Sequence, residues 1–462
     1  MCIRTPERQK PFSGDRYHAI MVLEDDVLKK ISPTPERRKA IQGTVNSLLA
    51  MTNAEAEKEG LELSVALVGS VAKDTFLREP DIDIFILFPE TVPREQLEAA
   101  GLAIGERVLS IHEERYAEHP YVHGEWDGLE VDLVPCYHIS DTSLLRSAVD
   151  RTPFHTKYVQ SHLREEQKGE VRLLKQFAKG IGVYGAEARV QGFSGYLLEL
   201  LVMRYGTFRE VLEASTGWTR GTALALEKKG TKMFDEPFIF FDPVDNKRNV
   251  ASALSPNCLA LFIYAARSYL EEPSELFFFP RQRESLDLAM VRSMLDERKS
   301  GLLLVRMERP KLIDDNLYPQ VRRSLDGLCA LLMSHDFRVL DRAHYVAEDL
   351  CFVMELEELV LSSGRRHSGP PAWIANASSF LERWGREGLS RPFLEEGHWM
   401  VVAPRDYPEA DGLIKAKLST AALGSDIRKQ MSVEVLMGPE VLTEENRPLL
   451  SALLDKRMNW EV

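Results

Sequence analysis

The chain has 462 residues, more than one hydrophobic core usually organises, which predicts roughly two to four domains. Its 44% hydrophobic and 28% charged residues fit an ordinary soluble globular protein. The net charge of −13 excludes a generally basic nucleic-acid binder, so any RNA contact must come from a local basic surface on an acidic body. The cysteines (Cys2, Cys136, Cys258, Cys329, Cys351) are scattered and form no Cys-x-x-Cys pair, which argues against a zinc or redox motif and suits reduced thiols in the cytoplasm. No apolar run reaches the length of a membrane span, and no stretch reads as a signal peptide.

Residues 1–20 are polar and broken by prolines. They are expected to be a leader, either an extension or a misplaced start, and a candidate for disorder. Helices are predicted over 22–31 and 35–58, the second with Thr34 as N-cap and Pro35 at N1. Its apolar residues Ile41, Val45, Leu48 and Leu49 recur at helical spacing. A β-rich run over 63–68 stops at Gly69-Ser70, a short helical segment follows, and Asp81-Ile82-Asp83 opens a second apolar run. Strand side chains alternate faces, so Asp81, Asp83 and Phe85 point one way and Ile82, Ile84 and Ile86 the other, into a core. Carboxylates side by side repel unless a cation neutralises them, and hard oxygen ligands two residues apart suit Mg²⁺. The backbone N–H groups at Gly69-Ser70, at the start of a helix, are placed to hold a phosphate.

A helix is predicted over 93–112. Strands over 115–126 and 129–137 form a hairpin through Asp127-Gly128, a strong two-residue turn signal. The hairpin brings Asp132, a lone acid between Val131 and Leu133, beside Asp83. Residues 21–150 thus read as an α/β head. Helices over 165–179, 193–205 and 257–271, with a short strand over 238–245, make 151–272 a helical central or neck domain. From 273 to 462 strands (277–279, 301–306, 337–340, 347–355) alternate with helices (320–333, 371–385), which predicts an α+β body and tail. The tail includes 410–429, with Lys415, Lys417, Arg428 and Lys429.

Gly-Ser, a spacer, acidic-apolar-acidic-apolar and a later strand-borne acid together resemble the nucleotidyltransferase motif of the polymerase-β-like superfamily. Further stretches are similar to the archaeal, class I CCA-adding enzymes: Tyr116-Ala-Glu-His-Pro-Tyr-Val-His-Gly124, Asp150-Arg-Thr-Pro-Phe-His155, Val171-Arg-Leu-Leu-Lys175 and Val183-Tyr-Gly-Ala-Glu187. So are Gln191-Gly-Phe-Ser-Gly-Tyr196, Asp242-Pro-Val-Asp245 with Arg248-Asn-Val250, and Asp314-Asp-Asn-Leu-Tyr-Pro319. These span most of 21–325; beyond about 325 the resemblance thins. Many such enzymes carry Glu-x-Asp at the first acidic pair, where this chain has Asp81-x-Asp83.

The resemblance implies an α+β multidomain fold with a polymerase-β-like head. It implies template-independent addition of C, C and A to tRNA 3′ ends from CTP and ATP. Asp81, Asp83 and Asp132 would hold two Mg²⁺ ions. Ser70 and Lys73 would hold phosphates; Arg also occurs at the place of Lys73. His155, Lys175 and Tyr184 match nucleotide-binding residues, and Arg248 matches an arginine that helps read the base. Read without the resemblance, Ser70 is a plain N-cap, Lys73 a solvated lysine, His155 and Tyr184 structural residues, and Arg248 a surface partner of Asp242 or Asp245. His112, His119 and His123 lack an accompanying Cys, so no zinc site is assigned. Partners implied are the tRNA acceptor stem and TΨC arm, ATP and CTP, in a cytoplasmic homodimer. The alternatives are a poly(A)- or oligoadenylate-type polymerase and an inactive tRNA-binding protein.

Overall fold

The chain divides into two compact units, residues 1–282 with 458–462, and residues 283–457. The computed structural model describes residues 14–462 apart from 117, 118, 228, 376 and 431, with backbone only for 14–20.

The first unit begins with α1 (Gly14–Ile31) and α2 (Pro35–Glu57). The first helix starts within the expected leader; residues 1–13 lie outside the described residues. Thr34 caps α2 by accepting from Arg37 N, with Pro35 in the first turn. Next come β1 (Ser64–Val68), α3 (Gly69–Lys73), β2 (Ile82–Pro89), α4 (Arg94–Val108), β3 (His112–Tyr116), β4 (Pro120–Trp126) and β5 (Leu129–His138). They form one sheet in the order β1-β2-β5-β4-β3. Only β2 and β5 run parallel; the other pairs are antiparallel. The β4–β5 hairpin turns at Asp127 (φ 52°) and Gly128 (φ 73°), the two positive φ values that a tight hairpin turn of this kind requires. Ile82, Ile84, Ile86 and Phe88 pack with Leu97 and Ile104 of α4 and Ile41, Val45 and Leu48 of α2. Helices therefore cover one face of the sheet and leave the other to the site.

The same unit continues with α5 (Thr152–His162), α6 (Gln167–Gly180), α7 (Gly195–Tyr205), α8 (Phe208–Ser215), the paired strands β6 (Thr222–Leu224) and β7 (Phe238–Phe240), and α9 (Pro256–Glu271). Their core is aromatic: Phe177, Phe193, Phe208, Phe262 and Tyr269 are fully buried. The expected strand at 277–279 is instead a 3₁₀ turn, Glu275–Phe277. A short apolar run does not announce its secondary structure; here Phe277 stacks on Phe177 (5.9 Å) and on Trp460 (4.9 Å). Those contacts hold 273–282 and the last five residues in this unit, although the sequence assigns both segments to the body and tail.

The second unit opens with α10 (Leu288–Arg298), β8 (Gly301–Glu308), α11 (Asp314–Ser334), β9 (Val339–Val346) and β10 (Asp349–Leu356). It continues with β11 (Gly364–Pro371), α12 (Ala377–Glu387), β12 (Phe393–Glu395), β13 (His398–Pro404), α13 (Ala410–Lys417), β14 (Val433–Met437) and α14 (Arg447–Leu454). Its sheets run β14-β8-β10-β9 and β11-β13-β12. The helix expected over 371–385 starts only at Ala377, because residues up to Pro371 complete β11 against β13. No helix among the described residues is long and apolar enough to cross a membrane.

Candidate active site

Register builds the site. On β2, Asp83 lies opposite Val68 of β1 and Asp132 of β5. Asp132 lies opposite His123 of β4, and His123 opposite Glu113 of β3. Residues opposite one another across a ladder share a face, so Asp83, Asp132, His123 and Glu113 form one polar row across the sheet. Asp81 directly precedes β2 and is exposed at the end of the row. The His123 ring bonds the Asp132 carboxylate (Nδ1 to Oδ1, 2.7 Å).

Burial, followed by the charges of Asp132 and Asp81, pushes the Asp83 carboxyl up to about 7. Partial burial raises the Asp81 carboxyl too, with Glu130 and Asp132 adding to it. Burial and neighbouring like charge both disfavour the ionised carboxylates here. The donors are hard oxygens, which fit a divalent cation of the same kind. Among the described residues, no three His, Cys, Asp or Glu side chains close tightly enough to hold a metal unaided. A cation here would complete its shell with water or substrate oxygens.

Gly69 adds a steric condition. Its φ is +71°, and a Cβ there would lie 1.9 Å from Asp83 Oδ2. Gly69→Ala therefore strains the backbone by about 1–3 kcal/mol and displaces the carboxylate. A misplacement of about 1 Å costs on the order of a hundredfold in rate, so we expect that loss in nucleotide incorporation together with a lowered melting temperature. Unchanged incorporation would show that the close approach is irrelevant. Ser70, next along α3, makes no hydrogen bond through its hydroxyl among the described residues.

Lys73 and Lys175 are both buried, not solvated. Lys73 Nζ donates to Glu199 Oε2 at 2.7 Å, and Lys175 Nζ to Glu199 Oε1 at 3.2 Å. The Thr75 hydroxyl also donates to Glu199, while Lys175 reaches Thr75 O at 3.1 Å. Glu199 is wholly buried on α7. Burial alone would raise its carboxyl, but the two ammonium groups outweigh burial and hold it down at about 2. Burial lowers Lys175 to about 8 against the pull of Glu199. One carboxylate thus ties α3, α6 and α7 together and leaves two cations beside Asp83, whose carboxyl both of them lower. The sequence offered one signal for Glu199: an acid inside the apolar run 196–202, where a charge is rarely buried unless paired.

Tyr184 sits against the same group. A Cβ on Gly195 would lie 3.2 Å from its hydroxyl and 3.6 Å from Lys175 Cε. Burial raises the Tyr184 phenol, and Glu199, Asp81, Glu187 and Asp83 add to it. His155 and Arg248 meet at a second buried acid, Asp242. His155 Nε2 and Arg248 Nη1 each lie 2.9 Å from Asp242 Oδ2, and the Tyr196 hydroxyl donates to Oδ1 at 3.2 Å. The His155 ring stacks on that of Tyr196 with centroids 4.0 Å apart, and Lys73 Nζ lies 6.0 Å from the centre of the Tyr196 ring. The local ion pair weighed for Arg248 is therefore real, and it also holds the guanidinium in place.

The sheet, with its carboxylate row beside a glycine-serine turn, defines a nucleotidyltransferase. Family models match three successive stretches: a nucleotidyltransferase domain over 52–155, the second domain of tRNA nucleotidyltransferase over 169–279, and the C-terminal domain of CCA-adding enzyme over 298–438. The CCA-adding enzyme of Methanothermobacter thermautotrophicus is 40% identical over 452 residues, covering 94% of this chain and 98% of the relative. That of Halobacterium salinarum is 38% identical over 441 residues, covering 93% and 98%. The chain belongs to the archaeal CCA-adding enzymes. Among solved structures, a cytoplasmic RNA terminal U-transferase matches with a TM-score of 0.44 at 13% identity, over 56% of this chain and 98% of that one.

Proposed function

We propose that this chain builds CCA on the 3′ end of tRNA from CTP and ATP without a nucleic-acid template, releasing pyrophosphate. The observation that carries this reading is the row of acids beside the Gly69-Ser70 turn, in a chain that matches CCA-adding enzymes along nearly its whole length. Asp81, Asp83 and Asp132 would hold Mg²⁺, which ordinarily takes one or two carboxylates and completes its shell with substrate phosphates. Bound there, the metal supplies a lowered pKa at the primer 3′-hydroxyl and charge neutralisation at the leaving pyrophosphate. Ser70 offers its unengaged hydroxyl to a phosphate oxygen. Lys73 and Lys175 present fixed positive charge to the triphosphate, and Tyr184, beside Lys175, lines the sugar. Arg248, held by Asp242 next to the His155–Tyr196 stack, presents donors to the base edge. A pocket of buried donors and acceptors rejects a wrong base because its groups would be left unpaired.

The second unit is the part we assign to the acceptor stem and TΨC arm. Double-stranded RNA is held mainly by shape and backbone. Such binding releases counterions, so raising salt from about 50 to about 200 mM should weaken tRNA affinity by more than about tenfold. A flat salt response in a filter-binding titration would remove the backbone clamp. The resemblance also suggests a cytoplasmic homodimer, which sedimentation of the purified chain tests.

The deciding experiment is incubation of tRNA lacking CCA with CTP alone. Addition of two nucleotides supports CCA synthesis. No C incorporation, with A added from ATP, would favour a poly(A)- or oligoadenylate-type polymerase. No pyrophosphate release with both nucleotides, Mg²⁺ and tRNA would leave only a tRNA-binding protein.

A further inference from the structure

On the far side of the sheet from Asp83, a cavity of about 230 Å³ opens between Arg94, Leu97, His119, Tyr137, Arg146 and Ser147. Leu97 and Tyr137 belong to the core under α4, so the cavity is separate from the catalytic face. His119 is 3% exposed and Ser147 8%. Neither His119 Nδ1 nor Ser147 Oγ has a hydrogen-bond partner. A buried polar atom left unpaired costs about 1–3 kcal/mol, and native proteins carry few of them. Here two line one cavity: the Ser147 hydroxyl is able to donate, and the His119 nitrogen donates or accepts according to its tautomer.

The rim carries two arginines. The Arg146 guanidinium lies 4.7 Å over the Tyr137 ring and makes no ion pair among the described residues. The Tyr137 hydroxyl is anchored on Val92 O at 3.2 Å, so the ring that carries Arg146 is fixed. Arg94 Nε donates to Glu98 at 2.8 Å. Asp150, fully buried, accepts from the backbone N–H groups of Tyr137 (2.9 Å), Arg146 (3.1 Å) and Ser147 (2.7 Å). It thereby sets three lining residues in place while its charge is engaged. Burial holds the His119 imidazole below its ordinary value, against a backbone hydrogen bond at Pro120 and the charge of Asp150, so the ring adds no fixed positive charge and the affinity for an anion is modest.

We propose that this cavity binds a phosphate group. Water alone would satisfy His119 and Ser147. It would leave unexplained a guanidinium with no carboxylate partner among the described residues, held over an aromatic ring above an unpaired hydroxyl and an unpaired imidazole nitrogen. A tetrahedral oxyanion answers all three, since arginine forks and hydroxyls match its oxygens. The site stands independently of the tRNA reading above.

Titration calorimetry of the full chain with inorganic phosphate, at constant ionic strength, tests the proposal. One saturable component that depends on Arg146, distinct from any binding at the catalytic face, is expected with a dissociation constant on the order of a millimolar. Arg146 is exposed, so Arg146→Ala should fold and should weaken phosphate binding at least about tenfold, the cost of one charged hydrogen bond. Arg146→Gln, which keeps the stem over Tyr137, is the second variant and should fall in the same direction; Ser147→Ala should weaken binding less. Ser70→Ala, on the opposite face, should leave this component unchanged. Ribose 5-phosphate distinguishes the sources: binding by both ligands assigns the cavity to terminal phosphate esters as well as the free ion, and binding by inorganic phosphate alone assigns it to the free ion. Equal phosphate affinity in the parent and both Arg146 variants overturns the proposal, as does the absence of an Arg146-dependent saturable component below about 50 mM.

Discussion

Asp83→Ala is expected to abolish nucleotide addition, by at least about a thousandfold, while the chain stays folded and tRNA affinity stays within about tenfold. A metal-binding carboxylate contributes several kcal/mol of charge stabilisation, and each 1.36 kcal/mol is about tenfold in rate. Stability should not fall with activity. The Asp83 carboxyl is pushed up to about 7 by burial and by its acidic neighbours, so the folded protein disfavours its ionised form relative to the unfolded chain. Removing it relieves Asp132 and Asp81 of a like charge, and the melting temperature should hold or rise. Asp83→Asn, which keeps the shape and removes the charge, should match the alanine variant in activity. Single-turnover incorporation, thermal melting and tRNA binding on one preparation separate the outcomes. Activity and melting temperature falling together would make Asp83 a structural residue.

Much of the carboxylate row was legible because strand periodicity is local. Acid-apolar alternation at 81–86, and a lone acid between Val131 and Leu133, each betray a strand with one polar face. Asp127-Gly128 then fixes how the chain turns between β4 and β5, and the observed positive φ at both residues follows from that dipeptide. Position was less legible than partnership in one place and more in another. Arg248 could be read as the partner of Asp242 because only six residues separate them. Lys73 and Glu199 are 126 residues apart, and nothing local says that an exposed-looking lysine will be buried against an acid in a helix of leucines. The same blindness covers Phe277 and Phe278. Their run resembles a strand, and only the distant Phe177, Tyr269 and Trp460 decide that it is a core-filling turn. Local pattern gives elements, and long-range packing gives partners.

Glu199 is where that long-range packing meets function. Glu199→Ala removes a buried counterion and leaves the ammonium groups of Lys73 and Lys175 desolvated and repelling each other. Breaking such a buried pair costs about 3–5 kcal/mol, so a clear drop in unfolding free energy is expected. The catalytic effect has its own cause. Lys175 is already lowered to about 8 by burial, with Glu199 as the first opposing influence. Without Glu199 its ammonium moves further down and loses charge near neutral pH, which would weaken the hold on the triphosphate proposed for it. The nucleotide KM should therefore rise for both CTP and ATP, with tRNA affinity little changed. Glu199→Gln keeps the volume and one acceptor oxygen but not the charge, so it should recover only the part of the stability that comes from packing and hydrogen bonding, and little of the KM. That split is the diagnostic. Urea unfolding and steady-state kinetics on both variants measure it. If Glu199→Gln restores the nucleotide KM along with stability, the carboxylate only holds three helices together and the charge of the lysine pair does not depend on it.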